Sequence, residues 1–512
     1  MGRAPGPAGR PVTGRRTADE QRRAIRSAVR HGEVTVQQLW LKYFSLGGLA
    51  GEVEVEAYLH GLMDLSAGQR DMLAHALNEH LGDHLTQARV PYEHVLAAPG
   101  AGAASAPEAM AELLRAVEQV PPEGLVAEVS AAGASMGAAV VLHLVDDEQA
   151  HLVPVQPHPT RAGALHAGPA LTIEATPAGR AFTQGRTTSS RVGGRLHLWV
   201  PVRNGLERLG VLEVVPDGEA DLDEALLGQD WRSLGRLVGR LVAVVADHGD
   251  ALDDLRRRRV RSPAAEVVRG LLPPAAAGTD RCTVAGRLEP GTPGGGDAFD
   301  HALSATTAHV AVLHAPGGDP AAGLVAAAAL AASRSARRGG GTLTGQTAAV
   351  EEAVRQSGGP DPGLTGVFGE LDVLSGRFRH LVAAHPAPLL LRDGVVTALG
   401  GGDRPPFGPH APDPGPACVG EVVLQPGDRV LLHTPGVTQA RDGAGEPFGL
   451  ERVSALLRTA TAAEPTAETV RRLARAVVEH RGGPPQEDAT VVLTRWHPGD
   501  GAAPDQPTDA DR

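Results

Sequence analysis

Residues 294–300 read GGGDAFD, and the rest of the chain is organised around them. Alone, Gly294 to Gly296 with Asp297 describe a Gly-rich turn carrying a surface acid, and Asp300 follows on the same run. Two later stretches, HTPGVTQAR (433–441) and PQEDATVVL (485–493), look like the other ends of one site. What these stretches can do depends on the chain that surrounds them.

The chain has 512 residues, and at ~100–200 residues per domain this suggests about three domains. Hydrophobic residues make up 42% and charged residues 21%, enough apolar material for a sizeable core. The net charge of −12 comes without a concentrated basic face, which argues against nucleic acid as a partner. Cys282 and Cys418 are too few and too isolated for a disulfide framework or a thiolate metal site. The first residues lack the apolar region of a signal peptide. The longest small-apolar run, Gly323 to Ala332, falls short of the ~20 residues of a membrane span. A cytoplasmic protein without a membrane segment is the expectation.

Residues 1–16, rich in Pro, Gly and Arg, read as disordered. Capping boxes at Thr17/Glu20, Thr35/Gln38 and Ser66/Gln69 then open helices, because the first side chain caps the N-terminus and the second returns a bond. Leu39, Tyr43 and Leu46 share a face, and Tyr58, Leu62, Met72, Leu73, Ala76 and Leu77 continue the helical period. A helical module over 17–95 results, with a linker at 96–107 (AAPGAGAASAP falls at 97–107). After it come an amphipathic helix over Glu108–Val120 and alternating strands at Ala138–Val145, Leu196–Val202 and Leu209–Val215. The stretch LHLWVPVRNGLERLGVLEVV (196–215) resembles the last hairpin of a GAF sensor domain, which is assigned to 108–230. His143, His151, His158 and Thr176 are polar candidates for its pocket, but they are scattered and identify no ligand.

A helical connector is expected over 231–261. Leu234, Val238, Leu241, Val245, His248, Leu252 and Leu255 are spaced by four and three, a heptad seam. Two readings stay open: a closing helix packed on the sensor sheet, or a parallel dimeric stalk pairing two copies through 234–255. Gly235, Gly239 and Gly249 weaken the helix by up to ~1 kcal/mol each.

Several stretches in a fixed order then carry a resemblance. LLPP (271–274), GGGDAFD (294–300), AAHPAPLLL (383–391), LQPGDRVLL (424–432), HTPGVTQAR and PQEDATVVL together resemble the SpoIIE-type branch of the metal-dependent (PPM-type) serine/threonine phosphatases. The resemblance covers about 262–496, followed by a disordered tail over 497–512. It implies an α-β-β-α sandwich with Mn²⁺ or Mg²⁺ held between the sheets by carboxylates, as hard cations require. Two such ions activate a water that attacks the phosphoryl group in line. The fold class expected is α+β multidomain: helical module, GAF-like α/β sensor, PPM-type sandwich.

By the resemblance, Asp297 occupies a metal-ligand position. Glu487, with Asp488 beside it in EDATVVLTR (487–495), stands at the position of the terminal ligand. Asp297, Glu487 and Asp488 are therefore the candidate catalytic and metal residues. Two ligand positions are degenerate. In HVAVLHAPGGDPAAG (309–323), His314 and Ala315 replace Gly and the metal-bridging Asp, and a methyl group cannot coordinate a cation. In VLLHTPGVTQARD (430–442), Pro435 replaces another Asp. Displaced acids such as Asp300 or Asp319 are the remaining route to a metal. The PGGDPAAG turn (316–323) lacks the Lys-Ser/Thr of a phosphate-binding P-loop.

Two functions follow from the resemblance. One is a sensor-regulated phosphatase acting on phosphorylated anti-anti-sigma-like regulators, weakened or silenced by Ala315 and Pro435. The other is a pseudophosphatase that docks a phosphoprotein or a phosphatase without turnover.

Overall fold

The computed structural model describes residues 18–30, 34–45, 48–82, 105–161, 163–217, 228–291, 294–357, 363–408, 418–483 and 486–498. The readings made for 1–16, for most of 96–107 and for nearly all of 497–512 fall outside them.

Four helices, Ala18–Arg30, Val36–Ser45, Glu52–Leu59 and Ala67–Gly82, form the N-terminal unit. Leu39, Tyr43, Tyr58, Leu73 and Leu77 meet in one core, as the helical period requires. Thr35 and Gln38 form the expected reciprocal cap. Gln69 does not cap: its side chain is buried and accepts from the Tyr43 hydroxyl and the Leu49 amide. Leu62 lies past the end of its helix and is exposed.

The central unit is a seven-stranded antiparallel sheet. Its strands are β1 (Ala138–Val145), β2 (His151–Pro157), β3 (Leu165–Ala167), β4 (Leu171–Thr172), β5 (Thr188–Val192), β6 (Arg195–Asn204) and β7 (Glu207–Pro216). They run in the order β3-β2-β1-β7-β6-β5, with β4 beside β2. Alternation along β6 sends Leu198, Val200 and Val202 to one face and Trp199 to the other. Helices Ala106–Val117, Leu125–Ser135 and Gln229–Ala246 cover the first face, and Pro177–Gln184 covers the second.

The heptad seam is used here. Of its residues, Leu234, Val238, Val245 and Leu252 are buried in the core of this unit, Leu241 and Leu255 pack partly buried against it and His248 is exposed, so the apolar ones do not wait for a second copy. Gly239 explains the closeness: a Cβ there would sit 2.1 Å from the Arg203 carbonyl oxygen. The glycines that weaken this helix by propensity are what let it lie on β6. The connector also breaks at Asp247–Asp250, and a short helix, Ala251–Arg256, follows. A stalk through 234–255 is thus replaced by a closing helix, because its apolar face is already covered.

The C-terminal unit continues with β8 (Ala276–Gly278), β9 (Cys282–Glu289), β10 (Asp297–Leu303), β11 (Thr307–His314), β12 (Thr365–Asp372) and β13 (Arg377–Ala383). Then come β14 (Leu389–Arg392), β15 (Val395–Ala398), β16 (Asp403–Arg404), β17 (Gly420–Val423), β18 (Arg429–His433) and β19 (Ala489–Trp496). One sheet runs β10-β11-β12-β13-β16 with β17 on β13; the other runs β15-β14-β18-β19-β9-β8.

Val284, Phe299, Val312, Phe378, Val430, Leu432, Val492 and Trp496 fill the space between the sheets. Helices Pro320–Arg338 and Leu343–Gln356 pack outside the first sheet, and Gly449–Arg458 and Thr466–Arg481 outside the second. The result is the α-β-β-α sandwich expected, within a multidomain α+β chain.

Candidate functional site

The two sheets bring the starts and ends of their strands together at one rim. Asp297 opens β10 directly opposite His314, the last residue of β11. Asp297 shares the inward face of its strand with Phe299 and so reaches the other sheet, where Thr434 follows β18 and Thr490 lies in β19.

The Asp297 carboxylate is fully buried. It accepts from His314 Nδ1, Thr434 Oγ1 and Thr490 Oγ1, each at 2.7 Å. Burial pushes its pKa up to about 6, against the hydrogen bond and charge of His314. Burial also works against the His314 cation, but the Asp297 hydrogen bond and charge outweigh it and hold the imidazole above its usual range. The pair is a buried acid and a half-buried base that share one proton-binding environment.

Asp488 is the second acid at the rim, and its contacts are to backbone. Oδ1 accepts from the Gly291 amide at 2.8 Å, and Oδ2 accepts from Gly295, Gly296 and Asp297 at 2.7, 2.9 and 3.1 Å. Successive amides turned toward one carboxylate make an anion nest. The glycines are required by space as well as by turn geometry. A Cβ on Gly294 would lie 2.4 Å from Asp488 Oδ1, and one on Gly296 would lie 2.2 Å from the Ala315 carbonyl oxygen. The GGGD stretch is therefore a cradle for Asp488, with Asp297 at its end.

The other residues singled out from sequence lie elsewhere. Glu487 is exposed. Asp300 faces the helix layer, where Arg334 Nη2 and Arg337 Nη1 each hold it at 2.7 Å. Asp319 caps helix Pro320–Arg338 by accepting from the Ala322 amide at 2.9 Å. These two acids do not return to the rim: strand alternation turns one away, and the cap holds the other. Ala315 is buried, and its amide bonds to the Gly296 carbonyl. Pro435 begins a short helix, Pro435–Gln439, whose N-cap residue is Thr434.

Sequence reading missed the groups that took over the acids. Thr434 was legible only as the neighbour of Pro435, and Thr490 only as a residue of EDATVVLTR. Two more imidazoles stand close by. His385 bonds through Nδ1 to Thr365 Oγ1 at 2.9 Å, and its Nε2 is buried with no hydrogen-bond partner among the described residues. Burial, then the nearness of His433 and His314, pushes its pKa down to about 3. Burial likewise lowers that of His433.

Two hard dications need several carboxylate oxygens free to coordinate. Asp297 and Asp488 have theirs occupied by seven protein donors (three and four). Ala315 and Pro435 supply a methyl group and a proline ring, neither of which carries a carboxylate. Among the described residues, no cluster of three or more His, Cys, Asp or Glu side chains is arranged to hold a metal ion. The residues at the rim do not fit a pair of Mn²⁺ or Mg²⁺ ions.

The candidate polar groups of the central unit are dispersed. His143 Nε2 meets Glu213 at 3.0 Å, and His151 Nδ1 meets Asp146 at 2.9 Å. His158 Nδ1 accepts from the Thr160 and Arg161 amides, and Thr176 caps helix Pro177–Gln184. They do not converge on one pocket. Among the described residues, no helix is long and apolar enough to cross a membrane.

The sandwich and the order of its strand ends define a PPM-type phosphatase fold. Residues 304–497 match the family model described as stage II sporulation protein E (SpoIIE), so this part of the chain is a SpoIIE-type phosphatase domain. The matched segment begins after GGGDAFD, which the geometry alone connects to it. No curated protein matches the chain by sequence.

Among solved structures, the RsbU and RsbW domains of Rv1364c from Mycobacterium tuberculosis are similar at 22% identity and a TM-score of 0.37. The phosphatase domain and regulatory fragment of SpoIIE from Bacillus subtilis follow at 15% and 0.37. Each match covers 42% of this chain, and 62% and 63% of those chains. RsbX in complex with magnesium is similar at 12% identity, over 43% of this chain and 98% of its own, with a TM-score of 0.34.

Proposed function

We propose that this chain is a signalling protein whose SpoIIE-type domain has lost two-metal phosphatase turnover and acts by binding. The partner is a phosphorylated anti-anti-sigma-like regulator or a phosphatase that competes for one. The central unit is a GAF-like sensor domain that controls the exposure of the binding face. One observation carries the reading: both acids at the rim, Asp297 and Asp488, have their carboxylates engaged by internal donors, while by the resemblance Ala315 stands at the metal-bridging Asp position and Pro435 at another ligand Asp position. The well-formed sandwich around a disarmed rim is what a binding role retains. The central antiparallel sheet, with its last hairpin β6–β7, supports the sensor assignment.

The test is Mn²⁺-dependent hydrolysis of p-nitrophenyl phosphate and a phosphoserine peptide by the full chain, beside Ala315→Asp/Pro435→Asp. The expected result is no manganese-dependent turnover by the natural chain, and turnover by the double variant if the carboxylates suffice. Turnover by the natural chain that Asp297→Asn abolishes would overturn the reading and make the protein a working phosphatase. Retention of a phosphorylated regulator by both the natural chain and Asp297→Asn is the expected binding result.

A further inference from the structure

Between the central and C-terminal units lies a cavity of about 460 Å³, within the ~300–1,000 Å³ of small-molecule sites. Its walls come from the helix Pro177–Gln184 and the β6–β7 hairpin on one side, and from the start of helix Thr466–Arg481 on the other. Leu206, Ala276 and Val284 supply apolar surface.

The charged residues in the walls are unequally matched. Glu468 is held by Arg208 at 2.7 Å and by Arg471 at 2.7 Å. Glu464 is held by Arg472 at 2.6 Å and by the Thr469 hydroxyl. Arg208 is fully engaged, by Glu468, by the Ala467 carbonyl oxygen at 3.0 Å and by the Phe182 ring at 4.7 Å. Arg203 and Arg186 differ. Both line the cavity, and the side chain of neither makes a hydrogen bond or ion pair among the described residues. Arg203 is half-buried, with Nη1 placed over Gly185 at the end of helix Pro177–Gln184. Burial, then repulsion from Arg236 and Arg208, holds its pKa below the usual arginine range.

A desolvated guanidinium facing two other arginines is costly unless something anionic answers it. Its planar fork matches a phosphate or carboxylate in two parallel bonds. The cavity also receives the positive end of helix Thr466–Arg481, which favours the same charge.

From this geometry we infer that the cavity is a binding site for a small oxyanion ligand, a phosphate ester or a di- or tricarboxylate. Arg203 is its principal anchor and Arg186 the second. Because the ligand would touch both units, it ties the central unit to the C-terminal domain. The site is separate from the rim at Asp297 and stands whether or not that rim turns over.

The test is thermal denaturation of the full chain with pyrophosphate, citrate, or KCl at matched ionic strength. It is run on the natural chain, on Arg203→Gln, Arg203→Lys and Arg186→Gln, and on Arg195→Gln as an exposed control at the far end of β6. A saturable rise in Tm is expected with one of the oxyanions and not with KCl. The half-saturating concentration should rise at least tenfold in Arg203→Gln, less in Arg203→Lys and Arg186→Gln, and not in Arg195→Gln. Pyrophosphate alone would assign a phosphate ester, and citrate alone a carboxylate. Without ligand, Arg203→Gln should melt no lower than the natural chain, since the arginine it removes has no partner. A response equal in all variants, or reproduced by KCl, overturns the proposal.

Discussion

Asp297 and Glu468 are both buried acids, one at the rim between the sheets and one at the seam between units, and they are neutralised differently. Asp297 is answered by two hydroxyls and an imidazole. Glu468 is answered by the guanidinium groups of Arg208 and Arg471. Burial raises both, but at Glu468 the two full cations reverse the direction and hold the acid below its usual range. At Asp297 neutral dipoles and a titratable base do not, and the acid stays above it. Hydrogen-bond donors alone satisfy geometry, whereas fixed cations also settle the charge. A rim whose acid lacks a fixed cation and a seam that carries its own are thus told apart by what surrounds the carboxylate.

The comparison breaks most severely at Arg471. Its guanidinium meets Glu468, Glu174 and the Gln149 carbonyl oxygen from a site almost closed to solvent. Arg471→Met should cost about 3–5 kcal/mol, since several charge-assisted hydrogen bonds in a closed site are lost together and Glu468 keeps only Arg208. Urea denaturation of the full chain, followed by a probe in each unit, measures it. The central and C-terminal transitions should also separate if the seam couples them.

A smaller loss is expected at the rim. Thr490→Val keeps shape and removes one hydroxyl from Asp297. Losing a hydrogen bond to a charged group should cost about 1.5–3 kcal/mol. It should also raise the Asp297 pKa further, which carboxyl infrared absorption or NMR titration would read. An unchanged pKa would mean that the hydroxyls do not carry the charge.

The smallest effect is the most discriminating, because its sign differs between the two sites. The folded pKa of Asp297 lies near 6, above the unfolded value of ~3.9. The folded state then binds the proton more tightly, and this group's contribution falls as pH rises from about 4 through 6. The folded pKa of Glu468 is lowered, so its contribution is present above ~4.3 and is lost as pH falls through its folded value. The stability difference between the natural chain and Asp297→Asn should therefore shrink on raising the pH from 4 to 7. The difference from Glu468→Gln should instead grow on leaving the acid range. Parallel trends would remove the distinction between the two sites.

Much of this was legible in the residues. Strand alternation located β1, β6 and β7, because a period of two survives in any chain that buries one face, whereas the sandwich was expected only from the resemblance of its motifs. That Ala315 and Pro435 bring no carboxylate to the rim was visible too, since a methyl and a proline ring carry none wherever they stand. The fate of Asp300 was half visible: three residues from Asp297 on one strand is an odd step, which puts it on the opposite face. The heptad seam was legible as apolar but not as occupied, because periodicity reports which face is apolar and not what covers it. Gly235 and Gly239 look like helix weakeners until the sheet lies against them.

The sequence by itself determined the order of the elements and the acids available, because side-chain chemistry and local period are properties of the chain. Only the tertiary structure decided what those acids do. Thr490 meets Asp297 across 193 residues of chain, and Arg208 meets Glu468 across 260. No local pattern encodes which donor will stand at 2.7 Å from a given carboxylate, because that depends on how two sheets and two units close on each other.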